Sequence, residues 1–132
     1  MRGKVADASV LAAIIFGEPE AEAAERLLGC TSIFVRPILD YELASVALKK
    51  SRRHREHRGE IAFALSTSRW LKVSYVHTPR TEICDLALRT DLSFYEASYL
   101  WIALALSCPL ATFDQQLART ARSSGVDALV VR

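Results

Sequence analysis

The strongest constraint on the fold is an alternation: five short strand-like runs are separated by stretches with helical periodicity. The runs are Lys4–Ala6, Ser32–Val35, Lys72–Val76, Leu110–Thr112 and Ala128–Val131. Between them the pattern predicts helices over Ser9–Phe16, Pro19–Leu28, Pro37–Lys50, Glu56–Ser68, Thr81–Leu88, Phe94–Leu106 and Gln115–Arg122. Gly17 and Pro19 split the first two, and Gly29 stops the second. Pro37 suits a first helical turn, and the basic residues at the far end suit the helix dipole. Ser93 is placed to cap Phe94–Leu106, with Glu96 in the reciprocal capping-box position. Strands that each give way to a helix pair in parallel, because a crossover is needed to return the chain to the same edge. The expected fold class is therefore α/β: a three-layer α/β/α sandwich around a central parallel five-stranded sheet. With 132 residues the chain can build one core, so residues 1–132 read as a single domain.

Composition narrows the class further. Hydrophobic residues make up 51% of the chain, which excludes a disordered segment and supplies apolar cover for both faces of a small sheet. A net charge of +2 is too small to predict a nucleic-acid partner by itself. Cys30, Cys84 and Cys108 are widely spaced and form no CxxC pair, which excludes the usual zinc spacings and a disulfide framework. They read as reduced thiols in a cytoplasmic protein. Ala97 to Phe113 carries no formal charge, but Ser107 and Pro109 interrupt it short of a membrane span. Arg2 and Lys4 ahead of Val10–Phe16 have the outline of a leader, but Asp7, Glu18, Glu20 and Glu22 argue against secretion.

Against this apolar background four carboxylates stand out. Asp7 and Asp114 each follow a strand-like run, at the carboxyl ends where open α/β sheets bind ligands. Both are also preferred N-cap residues for the helices that follow. Glu42 shares a helical face with Ile38, Leu39, Ser45 and Val46, and Glu96 shares one with Leu92, Tyr99 and Leu100. A capping box for Glu96 and an ion pair with a nearby base for Glu42 are the competing structural roles. Two carboxylates ~5 Å apart repel by roughly 3 kcal/mol at an effective dielectric of 20. A convergent set of four needs cations, and hard divalent ions such as magnesium or manganese suit an all-oxygen site that handles phosphates. Such an ion readies a water for attack on a phosphodiester and steadies the leaving oxygen. No Ser–His–Asp set competes, since His54 and His57 lie in a charged run and His77 lies beside a strand end.

These residues carry a family resemblance. Val5-Ala6-Asp7-Ala8-Ser9, Tyr41-Glu42-Leu43-Ala44, Leu92 to Leu100 and Leu110 to Leu117 follow one another in an order that resembles the PIN domain. The likeness is especially to the single-domain VapC-type toxins of prokaryotic toxin–antitoxin pairs, and it covers nearly the whole chain. The resemblance implies a magnesium- or manganese-dependent endoribonuclease, with Asp7, Glu42, Glu96 and Asp114 as catalytic and metal-binding acids. It also implies supporting hydroxyls from Ser9 and Thr112, an RNA substrate, an antitoxin partner and a homodimer. Two departures are visible: Glu96 stands where the family more often has Asp, and Gln115 and Gln116 stand where a further acid sometimes follows.

The basic run Lys49-Lys50-Ser51-Arg52-Arg53-His54-Arg55 begins at the end of Glu42's own helix. It reads either as a solvated, dipole-complementing terminus or as an RNA-tracking patch formed by Lys49, Lys50, Arg52 and Arg53. Tyr41, Tyr95 and Trp101 are candidates for base stacking. Two other functions compete with the nuclease. One is a catalytically weak RNA- or protein-binding module on the same fold. The other is a haloacid-dehalogenase-type phosphatase, disfavoured because Ser9 stands where that chemistry wants a second Asp.

Overall fold

The computed structural model describes residues 3–130. Five strands, β1 (Gly3–Ala6), β2 (Ser32–Val35), β3 (Val73–Tyr75), β4 (Leu110–Thr112) and β5 (Ala128–Val130), form one sheet in the order β3-β2-β1-β4-β5. Every pairing is parallel, with Val5 opposite both Phe34 and Leu110, and Ala6 opposite Ala111. Val131, included in the expected last strand, lies outside the described residues. Gly3 is required by close approach: a Cβ there would stand 2.6 Å from both the Phe34 ring and the Ser32 carbonyl.

Seven α-helices occur among the described residues: α1 (Ala8–Ile15), α2 (Ala21–Leu28), α3 (Leu39–Arg53), α4 (Arg58–Thr67), α5 (Arg80–Thr90), α6 (Phe94–Leu106) and α7 (Gln115–Ser123). The sheet separates two cores, which makes the three-layer α/β/α sandwich expected. On one face Val5, Leu110 and Ala128 pack with Ile83 of α5, Leu100 and Ile102 of α6, and Leu117 of α7. On the other, Ala6, Ile33, Val35 and Ala111 pack with Val10 and Leu11 of α1, Leu28 of α2, and Leu39 and Leu43 of α3. Side chains alternate between faces along each strand, so neighbours such as Val5 and Ala6 serve opposite cores.

Every helix except α6 has at least one boundary that differs from the sequence pattern, by one or more residues. Helix α3 starts at Leu39, two residues after Pro37, and runs on to Arg53. Its last turn carries Lys50, Arg52 and Arg53, whose charge favours continuation at the carboxyl end. Helix α4 buries none of its residues and leaves Phe63 72% exposed. Helix α6 keeps its expected bounds, buries Ala97 to Leu100, Ile102 and Ala103, and leaves Tyr95 and Leu104 at the surface. No helix among the described residues is long and apolar enough to cross a membrane.

Candidate active site

The strand order places the site. The chain runs outward from β1 to β2 and β3, then crosses back to β4 on the other side. The carboxyl ends of β1 and β4 therefore flank the point where the topology switches, the edge at which open α/β sheets place a ligand crevice. Asp7 follows β1, and Asp114 follows β4 by two residues.

Both aspartates cap helices. Asp7 Oδ1 accepts from the Ser9 backbone N–H at 3.0 Å, which starts α1. Asp114 Oδ1 accepts from the Gln116 and Leu117 N–H groups at 2.9 and 3.1 Å, which starts α7. Capping employs one oxygen of each carboxylate. The Thr112 hydroxyl, fully buried, donates to Asp7 Oδ2 at 2.9 Å and accepts from the Asp114 N–H at 3.0 Å. One hydroxyl thus ties the ends of two adjacent strands together. Asp114 Oδ2 receives no protein donor among the described residues, and Asp114 is exposed.

Glu42 approaches from α3 and is held by Arg36, a residue the sequence reading did not single out. Arg36 follows β2, is only 4% exposed, and its Nη2 donates to Glu42 Oε2 in an ion pair. Its Nη1 donates to the Tyr95 carbonyl and the Ser98 hydroxyl, each at 3.0 Å. The guanidinium carbon lies 4.0 Å from the centroid of the Tyr99 ring and 5.4 Å from that of Tyr95. Arg36 Nε is buried without a partner. Tyr99 completes the cluster: its hydroxyl accepts from the Ala8 N–H at 3.0 Å and lies 3.5 Å from both Glu42 oxygens.

Electrostatics record how close these groups are. Burial raises the Glu42 pKa above 4.5; Arg36 opposes that rise, and the like charge of Asp7 adds to it. Burial, reinforced by Asp7, pushes the Tyr99 phenol well above its usual range, so it stays protonated. Asp7, Glu42, Arg36 and Tyr99 therefore act on one another, with Thr112 and Asp114 joined to Asp7. Among the described residues no three of Asp, Glu, His and Cys converge into a ready-made metal cage.

A family model for the PIN domain matches residues 4–123. The chain belongs to the PIN domain family. A curated relative, the VapC ribonuclease Mb0985 of Mycobacterium bovis, is 29% identical over 121 residues, 90% of this chain and 91% of the relative. Ribonuclease VapC3 of Pyrobaculum aerophilum is 30% identical over 119 residues, 86% of this chain and 91% of the relative. The crystal structure of PAE2754 from Pyrobaculum aerophilum superposes with a TM-score of 0.75 at 21% identity, covering 97% of this chain and 84% of that one. That superposition supports the fold.

Within the PIN frame the remaining site expectations sort by location. Glu96 forms the capping box: its Oε1 accepts from the Ser93 N–H at 2.8 Å, while Ser93 Oγ accepts from the Glu96 N–H at 3.1 Å. It stands in the first turn of α6, beside the Tyr95 carbonyl that Arg36 holds. Ser9 is exposed in the first turn of α1, with its backbone bound to Asp7. Lys50 is paired with Glu18, whereas Lys49, Arg52 and Arg53 are exposed with no acid in salt-bridge reach among the described residues. Along the helix they lie roughly 10–16 Å from Glu42. Tyr41 and Tyr95 are 80% and 60% exposed near the site, while Trp101 is half-buried.

Proposed function

We propose that this protein is a magnesium- or manganese-dependent endoribonuclease that hydrolyses RNA phosphodiester bonds, and that it acts as the toxin of a toxin–antitoxin pair. The observation that carries the reading is the Asp7–Thr112–Asp114 arrangement at the topological switch of a PIN domain whose curated relatives are named VapC ribonucleases. The fit to a metal rests on the donor set. Magnesium takes one or two protein carboxylates and fills its other positions with water and phosphate oxygens. Asp7 and Asp114 each commit one oxygen to a cap, and Asp114 Oδ2 has no protein donor among the described residues. Asp7 and Asp114 would hold the ion, with Glu42 and Glu96 at the margin of the same crevice. A bound divalent ion supplies polarisation of a phosphoryl oxygen and a water ready for attack at neutral pH.

The other side chains have roles that follow from position. Thr112 orients Asp7 and fixes the spacing of β1 and β4. Tyr99 packs under Arg36 and anchors α1 through the Ala8 N–H. Exposed Tyr41 and Tyr95 offer faces on which unpaired bases stack, which favours single-stranded or looped RNA. Lys49, Arg52 and Arg53 supply phosphate contacts to an otherwise acidic crevice. Exposed Leu48, Phe63 and Trp70 provide apolar surface for an antitoxin, and Leu88 and Leu104 provide it for a homodimer. A cytoplasmic location accompanies this reading. Sedimentation showing a monomer at micromolar concentration would contradict the dimer.

The reading is tested by incubating purified protein with end-labelled single-stranded RNA in excess chelator, then with magnesium or manganese restored. Cleavage should appear only on restoration. Cleavage that persists in chelator refutes the metal mechanism. A second reading, a catalytically weak PIN module that binds RNA or protein, is favoured by the Arg36–Glu42 pair and by the absence of a three-ligand cage among the described residues. Binding of RNA without cleavage under any divalent ion would select it.

A further inference from the structure

We propose that Arg36 is an internal counter-ion that limits how tightly the crevice holds a divalent cation, by occupying the Glu42 carboxylate such a cation would otherwise engage. The inference rests on the metal-dependent reading above and adds a determinant of metal affinity from outside the acidic set. Four features carry it. The guanidinium is 4% exposed and pinned between the Tyr95 carbonyl, the Ser98 hydroxyl and the Tyr99 ring, so it does not swing aside freely. Its Nη2 is bound to Glu42 Oε2, which also lies 3.5 Å from the Tyr99 hydroxyl. Glu42 in turn lies within the field of Asp7, the acid at the end of β1. Finally, Nε is buried and unpartnered.

The last feature separates this from an ordinary structural pair. A buried ion pair repays desolvation only when its donors are satisfied, and apolar replacements of similar size are often at least as stable. Here one donor is sacrificed, yet the charge sits against Glu42, which itself lies in the field of Asp7. Ser98 Oγ already donates to the Tyr95 carbonyl at 2.6 Å, so these two groups would partner each other without Arg36. What they cannot replace is the positive charge. A cation entering beside Asp7 must share Glu42 with a fixed guanidinium and meet its repulsion. Removing one unit charge a few ångströms from a divalent ion changes affinity on the order of tenfold even when water screens most of the field.

The test measures manganese binding to the RNA-free protein, following free ion by electron paramagnetic resonance. Arg36→Met keeps the stem against the tyrosine rings and removes the charge; Arg36→Gln, also neutral, retains a polar head for the same partners if the first variant folds poorly. Either should bind manganese on the order of tenfold more tightly than the parent. In a Glu42→Gln background the gain should largely vanish, because the freed carboxylate is its source. An unchanged or weaker affinity in a folded Arg36 variant, or an equal gain with and without Glu42, overturns the proposal while leaving the metal reading standing. No manganese binding by the parent or by either Arg36 variant overturns both.

Discussion

Asp114 is an N-cap by geometry and a metal ligand by proposal, and the two roles separate under substitution. Asp114→Ala removes the acceptor for two N–H groups, Gln116 at 2.9 Å and Leu117 at 3.1 Å. Each hydrogen bond is worth about 0.5–1.5 kcal/mol net, and water reaches this exposed cap, so the expected loss is about 1–2 kcal/mol. For a domain of this size that lowers Tm by roughly 3–8 °C. Asp114→Asn keeps an acceptor at the cap and loses only the favourable charge at the amino end of α7, about 0.3–1 kcal/mol. Relief of repulsion from Asp7 offsets part of that, so its Tm should stay within about 3 °C of the parent. If the carboxylate holds the ion, both variants should lose RNA cleavage on the order of a hundredfold or more, well below their melting temperatures. Thermal melts in chelator, paired with cleavage rates in magnesium, make the comparison. An Asn variant that cuts RNA like the parent would show that Asp114 only starts α7.

Other substitutions probe the rest of the crevice. Glu96→Gln preserves the capping box and removes the charge, so cleavage should fall on the order of tenfold or more while Glu96→Asp retains much of it; equal activity of the Gln variant would reduce Glu96 to its structural role. The raised pKa of Glu42 means that the folded chain binds this proton more readily than the unfolded chain. Its contribution to metal-free stability therefore falls as pH rises through the window above 4.5, and the parent should lose stability relative to Glu42→Gln across that range in urea titrations. A constant difference between the two would contradict the assignment. Replacing Lys49, Arg52 and Arg53 with Gln should reduce the salt dependence of RNA binding by about 2 in the log–log slope, at about 0.7 per phosphate contact; an unchanged slope would place the RNA elsewhere.

The fold was largely legible because its punctuation is local. Gly29 ends α2 and the Ser93 cap starts α6 where the sequence marks them, boundaries that tertiary packing leaves in place. Boundaries shifted where electrostatics or chain entry intervened, as in the basic last turn of α3 and in the starts of α2 and α3, each two positions past its proline. The strand-end aspartates were legible for the same reason: each sits one or two residues past an apolar run, and the parallel topology brings those ends together. Arg36 was not legible. A single arginine before a proline reads as a surface base, and its burial depends on Tyr95 and Ser98, 59 and 62 residues farther along the chain. The only local signal was a base six residues ahead of Glu42 at the end of a strand. Tyr99 was visible only as a face-mate of Glu96, since its hydroxyl contact with Ala8 spans 91 residues.

The proposed reaction is hydrolysis by a metal-activated water where Asp7 and Asp114 meet at the ends of β1 and β4. The most direct measurement is mass spectrometry of RNA products formed in isotopically heavy-oxygen water with magnesium, with Asp7→Asn protein run in parallel. Attack by such a water gives one heavy oxygen on a terminal phosphate, no cyclic phosphate at any time, and no products from the variant. Cyclic phosphate without label, formed equally by both proteins, would mean that the ribose hydroxyl is the nucleophile and that these aspartates do not perform the reaction.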